Sequence, residues 1–130
     1  MIRFVVIFLG LLSAQGWADR VDNFVLLDQY GKAHSLYEHK DKAAIVIMIQ
    51  GNGCPIVRNA VSDYREQREQ YQGQNVRWMM LNANRQDQPG AILQEAEAFG
   101  IDWPVLNDET QRVGKSLTLI RTAEVLVIDP

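Results

Sequence analysis

What this sequence lacks most conspicuously is a second cysteine. Cys54 stands alone, so no disulfide can form within the chain, and Cys54 is left as a buried small hydrophobe, a thiol that reacts with an external molecule, or a metal ligand. A long apolar run is also missing. The stretch Phe4 to Leu12 is nine residues, against the roughly 20 needed to cross a bilayer. Basic clusters are scarce: 13 Lys and Arg face 16 Asp and Glu, for a formal charge of −3. Nothing here can displace phosphate counterions along a nucleic acid, which excludes nucleic acid as a partner. The densest basic stretch, His39-Lys40-Asp41-Lys42, reads as a solvated turn. Repeats, low-complexity tracts and linkers are absent, and 130 residues fit one ordinary domain with its own core.

What is present begins with an address. Arg3, the apolar run and the small-residue exit Gly16-Trp17-Ala18 have the layout of a secretory signal peptide spanning residues 1–18. Residues 19–130 then form the mature domain. The expected location is periplasmic or secreted, with no stable membrane span after cleavage. An exported chain enters an oxidising compartment, where cysteines are usually paired, which makes the solitary thiol more conspicuous.

Along the mature chain, Phe24 to Leu27 is a short apolar run closed by Asp28-Gln29-Tyr30-Gly31-Lys32, a strand followed by a turn. His34 to Tyr37 begins a second strand or a helical turn, with Ser35 as a cap. Ala43 to Ile49 is a continuous β-branched run without polar alternation, as expected of a central strand covered on both faces. Gln50-Gly51-Asn52-Gly53 breaks it, and Cys54-Pro55 follows. From Pro55 to Tyr71, Ile56, Val57, Ala60, Val61 and Tyr64 recur at helical spacing, and proline is well placed at a helix start. Val76 to Leu81 reads as a strand, Ala91 to Phe99 as a helix, Trp103 to Leu106 as extended, Asp108 to Val113 as a short helix and Val125 to Ile128 as a strand. Strands alternating with helices imply an α/β fold, a mixed central sheet flanked by helices. The chain stops at Asp129-Pro130, directly after a strand, which we read as an incomplete C-terminal part.

The chemistry concentrates at a buried strand, a glycine-rich break and Cys54-Pro55 opening a helix. A thiol there meets the positive end of the helix dipole and unpaired backbone N–H groups, which favour the thiolate. The segment Gly51-Asn52-Gly53-Cys54-Pro55-Ile56-Val57 resembles the peroxiredoxin-like redoxins (AhpC/TSA type) of the thioredoxin superfamily. That group shows Asn-His-Cys-Pro-Tyr-Val at this place; Asn52, Cys54, Pro55 and Val57 match, and Gly53 and Ile56 do not. Leu81-Asn82-Ala83-Asn84 and Trp103 to Gln111 resemble later segments of the group.

The resemblance implies a thioredoxin-like fold over residues 22–130 and a site built on Cys54, flanked by Asn52, Gly53 and Pro55. The departures are specific. A Cys-x-x-Cys reductase would need a thiol at Val57, and a Pro-x-x-x-Thr-x-x-Cys peroxiredoxin would need threonine at Gly51 and proline at Ile47. The hydroxyl that orients a peroxide is therefore missing from its usual place. Arg121 is the residue that could act as the family's arginine, stabilising the thiolate. The position of the family's cis-proline falls on Thr122-Ala123, where a trans peptide is expected because a cis bond without proline costs about 3 kcal/mol. Thr122 and Ala123 then line a reshaped substrate groove.

Met48, Met79, Met80, His34 and His39 raise soft-metal chemistry. The methionines sit in apolar strands as filler, and His34 and His39 match no ligand motif, so no metal and no cofactor is expected. Trp78 and Trp103 read as core residues, Asn82 and Asn84 as turn formers. The expected function is an exported thioredoxin-like redox protein whose single cysteine acts on an external thiol, disulfide or peroxide. The alternative is a catalytically degenerate thioredoxin-fold module that binds a redox partner in the cell envelope.

Overall fold

The computed structural model describes residues 20–130; the segment 1–18, expected from the sequence to be a signal peptide, lies outside them. Two short antiparallel strands, β1 (Val25–Leu27) and β2 (Ala33–Ser35), form a hairpin and lead into a 3₁₀ turn, Leu36–His39. Then follow β3 (Ala44–Gln50), α1 (Pro55–Gln70), β4 (Val76–Asn82), α2 (Pro89–Ala98), β5 (Val105–Asn107), α3 (Arg112–Ser116) and β6 (Val125–Ile128). They build one six-stranded sheet in the order β2-β1-β5-β4-β3-β6. The β3, β4 and β5 strands run parallel, while β6, β1 and β2 are antiparallel to their neighbours. The sheet is therefore mixed, as the alternation of elements predicts.

Strand β3 shows why its sequence is uniformly apolar. Val46 and Met48 enter a core with Val57, Val61 and Tyr64 of α1 and Ile92 and Ala96 of α2. Ile45, Ile47 and Ile49 enter a second core with Leu36, Leu106, Val113 and Ile128. Side chains alternate across a strand, so both faces must be hydrophobic when both are covered. Ile47, fully buried at 0% exposure, contributes about 1.5–3 kcal/mol by leaving water.

On α1, Val57, Val61 and Tyr64 follow one helical stripe and are its buried residues. The Tyr64 hydroxyl donates to the Met79 carbonyl at 2.6 Å, which satisfies the one polar atom that the ring carries into the core. The ring itself stands edge-on to Trp78 and tilted against Trp103.

Four sequence expectations shift. The short helix begins at Arg112, because Asp108 spends its carboxylate on the Gly114 N–H and stays outside it. Ser35 caps nothing; its hydroxyl donates to Asn23. His39 is buried rather than part of a solvated turn, since the 3₁₀ turn folds it inward. Asn82 is more than a turn former: seven rungs of β3–β4 pairing end with Gln50 beside Asn82, and both are fully buried. No described helix is long and apolar enough to cross a membrane.

Candidate active site

The β3–α1 junction sits at the carboxyl ends of the parallel strands, where open α/β sheets place their ligand crevices. Cys54 is the N-cap of α1 in an extended conformation (φ −77°, ψ 115°), with Pro55 at the first helical position. No acidic residue occupies the first turn of α1 itself, which keeps the helix's own side chains from neutralising its positive end beneath the sulfur. The thiol is half-buried.

The loop that delivers it is pinned from below. Gln50 donates to the side chain of Asn52, and Asn82 donates to Gln50 at 2.7 Å. The Asp87 carboxylate then collects the Asn52 backbone N–H and the Asn82 and Asn84 amides at 2.9–3.1 Å. Gly53 has a φ of +71°, a left-handed turn that glycine adopts without steric penalty, and the Cys54 N–H closes it onto the Gly51 carbonyl. Glu95 of α2 accepts from the Gly53 N–H and grips Arg58 through two 2.9 Å bonds.

The partner of the sulfur comes from the far end of the chain. Thr122 Oγ1 lies 3.3 Å from Cys54 Sγ. Thr122 precedes Ala123, whose φ of +64° is an uncommon conformation for a residue with a Cβ. The kink is held by the Ala123 N–H donating to the Ile49 carbonyl and the Ile49 N–H donating to Glu124. The Thr122–Ala123 peptide is trans, as expected.

Gly51, standing where the family pattern has threonine, makes this possible. A Cβ there would meet Asn84 Nδ2 at 2.8 Å and the Thr122 methyl at 3.1 Å. The space a side chain would take is filled by Asn84 and Thr122. Position 51 carries no hydroxyl, as the sequence reads, and the hydroxyl beside the sulfur belongs to Thr122.

These surroundings lower the Cys54 thiol below its ordinary value of 9.0. The Thr122 hydrogen bond contributes most, then the Val57 N–H; burial opposes them, and the Ile56 N–H and the Arg58 charge add smaller support.

Of the residues singled out in the sequence, the structure brings together Asn52, Gly53, Cys54, Pro55, Thr122 and Ala123 around one junction. Arg121 is exposed and hydrogen-bonds to none of them; it borders a cavity with Ile49, Asn84, Lys115 and Thr122. Arg58, four residues after the sulfur, is the cation that bears on it. Sequence reasoning missed Arg58 and Glu95. The available signal was Arg58 one helical turn after Cys54, but its partner lies 37 residues away.

The family model for the AhpC/TSA family matches residues 18–130. No curated protein matches significantly. Among solved structures, an uncharacterized conserved protein from Geobacillus kaustophilus is 28% identical with a TM-score of 0.78, covering 85% of this chain and 62% of that one. The chain thus spans less than two thirds of that protein's length. The thioredoxin domain of a thiol-disulfide oxidoreductase from Bacteroides vulgatus is 15% identical, TM-score 0.72, with 84% and 78% coverage. Peroxidoxin BcpB from Mycobacterium tuberculosis is 18% identical, TM-score 0.71, with 85% and 77% coverage. With the family match running over nearly the whole chain and the thioredoxin fold seen on both sides of Cys54, the protein belongs to the AhpC/TSA family, among the peroxiredoxin-like redoxins of the thioredoxin superfamily.

Proposed function

We propose that this is an exported redox protein that uses Cys54 as a one-cysteine nucleophile toward an external peroxide, disulfide or thiol. The observation that carries the reading is a half-buried sulfur at a helix start with a hydroxyl 3.3 Å away. It is reachable, and its anion is favoured. With a peroxide, the thiolate attacks one oxygen, the O–O bond breaks, and the leaving alkoxide or hydroxide takes up a proton. Cysteine is oxidised to sulfenic acid by two electrons and the peroxide is reduced. An external thiol then condenses with the sulfenic acid, releasing water and leaving a mixed disulfide. With a disulfide, the thiolate reaches a mixed disulfide directly and expels one thiolate. Val57 is buried at the position a resolving thiol would hold, so a second external thiol must free Cys54.

The test is labelling of the full chain at neutral pH with a sulfenic-acid probe after peroxide, alongside thiol-dependent peroxide consumption. Labelling confined to Cys54 and abolished in Cys54→Ser is expected. An unlabelled wild type would leave the degenerate binding module as the standing alternative. Export rests on the charged start and apolar run of residues 1–18, and fractionation of tagged full-length protein checks it; a cytoplasmic, unprocessed chain overturns it.

A further inference from the structure

Away from Cys54, at the sheet edge formed by β2 and the 3₁₀ turn, three ligand-bearing side chains converge without using their ligand atoms on one another. His34 is on β2; Glu38 and His39 are on the turn. One atom from each, an imidazole nitrogen or a carboxylate oxygen, lies within 4.8 Å of the other two. Glu38 Oε1 is 3.6 Å from His34 Nδ1 and 3.3 Å from His39 Nε2. Four ligands placed 2.0–2.1 Å from a tetrahedral ion lie about 3.3 Å apart; the His39–Glu38 edge has that length and the His34–Glu38 edge is 0.3 Å longer.

Two further observations point the same way. His34 Nδ1 and His39 Nε2 are buried and have no hydrogen-bond partner, and their side chains are 4% and 10% exposed. A buried polar nitrogen left unpaired costs about 1–3 kcal/mol, and native structures leave few buried polar groups without a partner.

Behind His34, Asp28 Oδ2 sits 2.7 Å from Nε2, while Asp28 Oδ1 accepts the N–H groups of Tyr30 and Lys32. An ionised carboxylate only accepts, so in the neutral imidazole Nε2 carries the proton and Nδ1 turns its lone pair toward Glu38 and His39. Carboxylate–histidine support of this kind orients metal-binding imidazoles and raises their basicity.

We propose that His34, Glu38 and His39 bind a divalent first-row transition cation of the zinc type, through Nδ1, a carboxylate oxygen and Nε2. Nitrogen and oxygen donors suit such ions. Three protein ligands leave a fourth position for water, and Glu38, with its side chain 45% exposed, provides the opening to solvent through which the ion enters. Asp28 is the positioning residue. The cation sits on the hairpin and shares no residue with the Cys54 cluster. The sequence expectation of no metal rested on soft sulfur ligands and on the spacing of two histidines alone; it left out Glu38 and the fold of the turn.

The experiment is calorimetric titration of the chelator-stripped full chain with Zn²⁺, in a Cys54→Ser background so that the thiolate contributes nothing. One ion per chain is expected, with affinity falling at least tenfold in Glu38→Gln and 10- to 100-fold in Asp28→Asn. Co²⁺ in place of Zn²⁺ should give the visible absorption of a tetrahedral nitrogen and oxygen site. His39→Gln removes a ligand outright but alters a buried position; Glu38→Gln, at a half-exposed side chain, keeps the test decisive if that variant fails to fold. Stoichiometry well below one, or affinity unchanged in Glu38→Gln, overturns the proposal and leaves a cluster that is only an ion-pair hub. Binding that is lost when Cys54 is replaced also overturns it, by placing the ion on the sulfur.

Discussion

Two groups of buried and half-buried polar side chains sit in this small fold, and they are built on opposite terms. Under the Cys54 loop, Gln50, Asn82, Asn52, Asn84 and Asp87 bond to one another and to the backbone. On β2 and the turn that follows it, His34 and His39 each keep a nitrogen without a partner. A satisfied network fixes a backbone, whereas an unsatisfied one is held in readiness for something that completes it. The first therefore acts as scaffold for a reactive group, and the second has the character of a receptor.

The sharpest way to break this contrast is at its most saturated atom. Asp87→Ala strands three N–H donors at once, so urea unfolding should show a loss of about 2–3 kcal/mol; a change below about 0.5 kcal/mol would mean the loop is not held by that carboxylate. Next comes the sulfur itself. Thr122→Val keeps the shape and removes the hydroxyl, and because hydrogen bonds to charged groups are the strong ones, alkylation of Cys54 at neutral pH should slow about tenfold as the thiol pKa rises. An unchanged rate would reassign thiolate stabilisation to the helix start alone.

A third prediction concerns pH. The folded thiol is lowered below 9.0, so across the window between its folded value and 9.0 the native state has released a proton that the unfolded chain still holds. Native stability relative to Cys54→Ala should grow as pH rises through that window and level off above it; a flat difference would contradict a stabilised thiolate. The smallest effect belongs to the hairpin. With no metal supplied, Glu38→Gln should shift stability by no more than about 0.5 kcal/mol, measured by thermal unfolding, because Glu38 only faces open valences there. A loss of 2 kcal/mol would make that carboxylate a structural clasp.

The elements were legible wherever pattern and environment coincide. Ala44–Gln50 is apolar because both its faces are covered, and the stripe Val57, Val61, Tyr64 repeats with the helix. Cys54 at a helix start was readable from proline and the glycines before it. What escaped was whatever the fold brings together from a distance. Thr122 was named as part of the groove, but nothing local says that its hydroxyl meets a sulfur 68 residues away. Gly51 read as a loss, and only the packing of Asn84 and Thr122 against it shows that its bareness makes room. His34 and Glu38 stand four residues apart but His39 adjoins Glu38, and the three meet only because a strand passes into a 3₁₀ turn between His34 and Glu38.

The kink at Ala123 ties the nucleophile to the integrity of the outermost strand. Thr122 faces the sulfur only while β6 stays zipped to β3 through Ile49, Ala123 and Glu124. Peeling that border away would remove the largest single support of the anion and leave the helix that carries it, with its N–H groups, in place. Thiol acidity is thus a local readout of whether the sheet is closed, and any molecule that competes for that margin holds a dial on the chemistry.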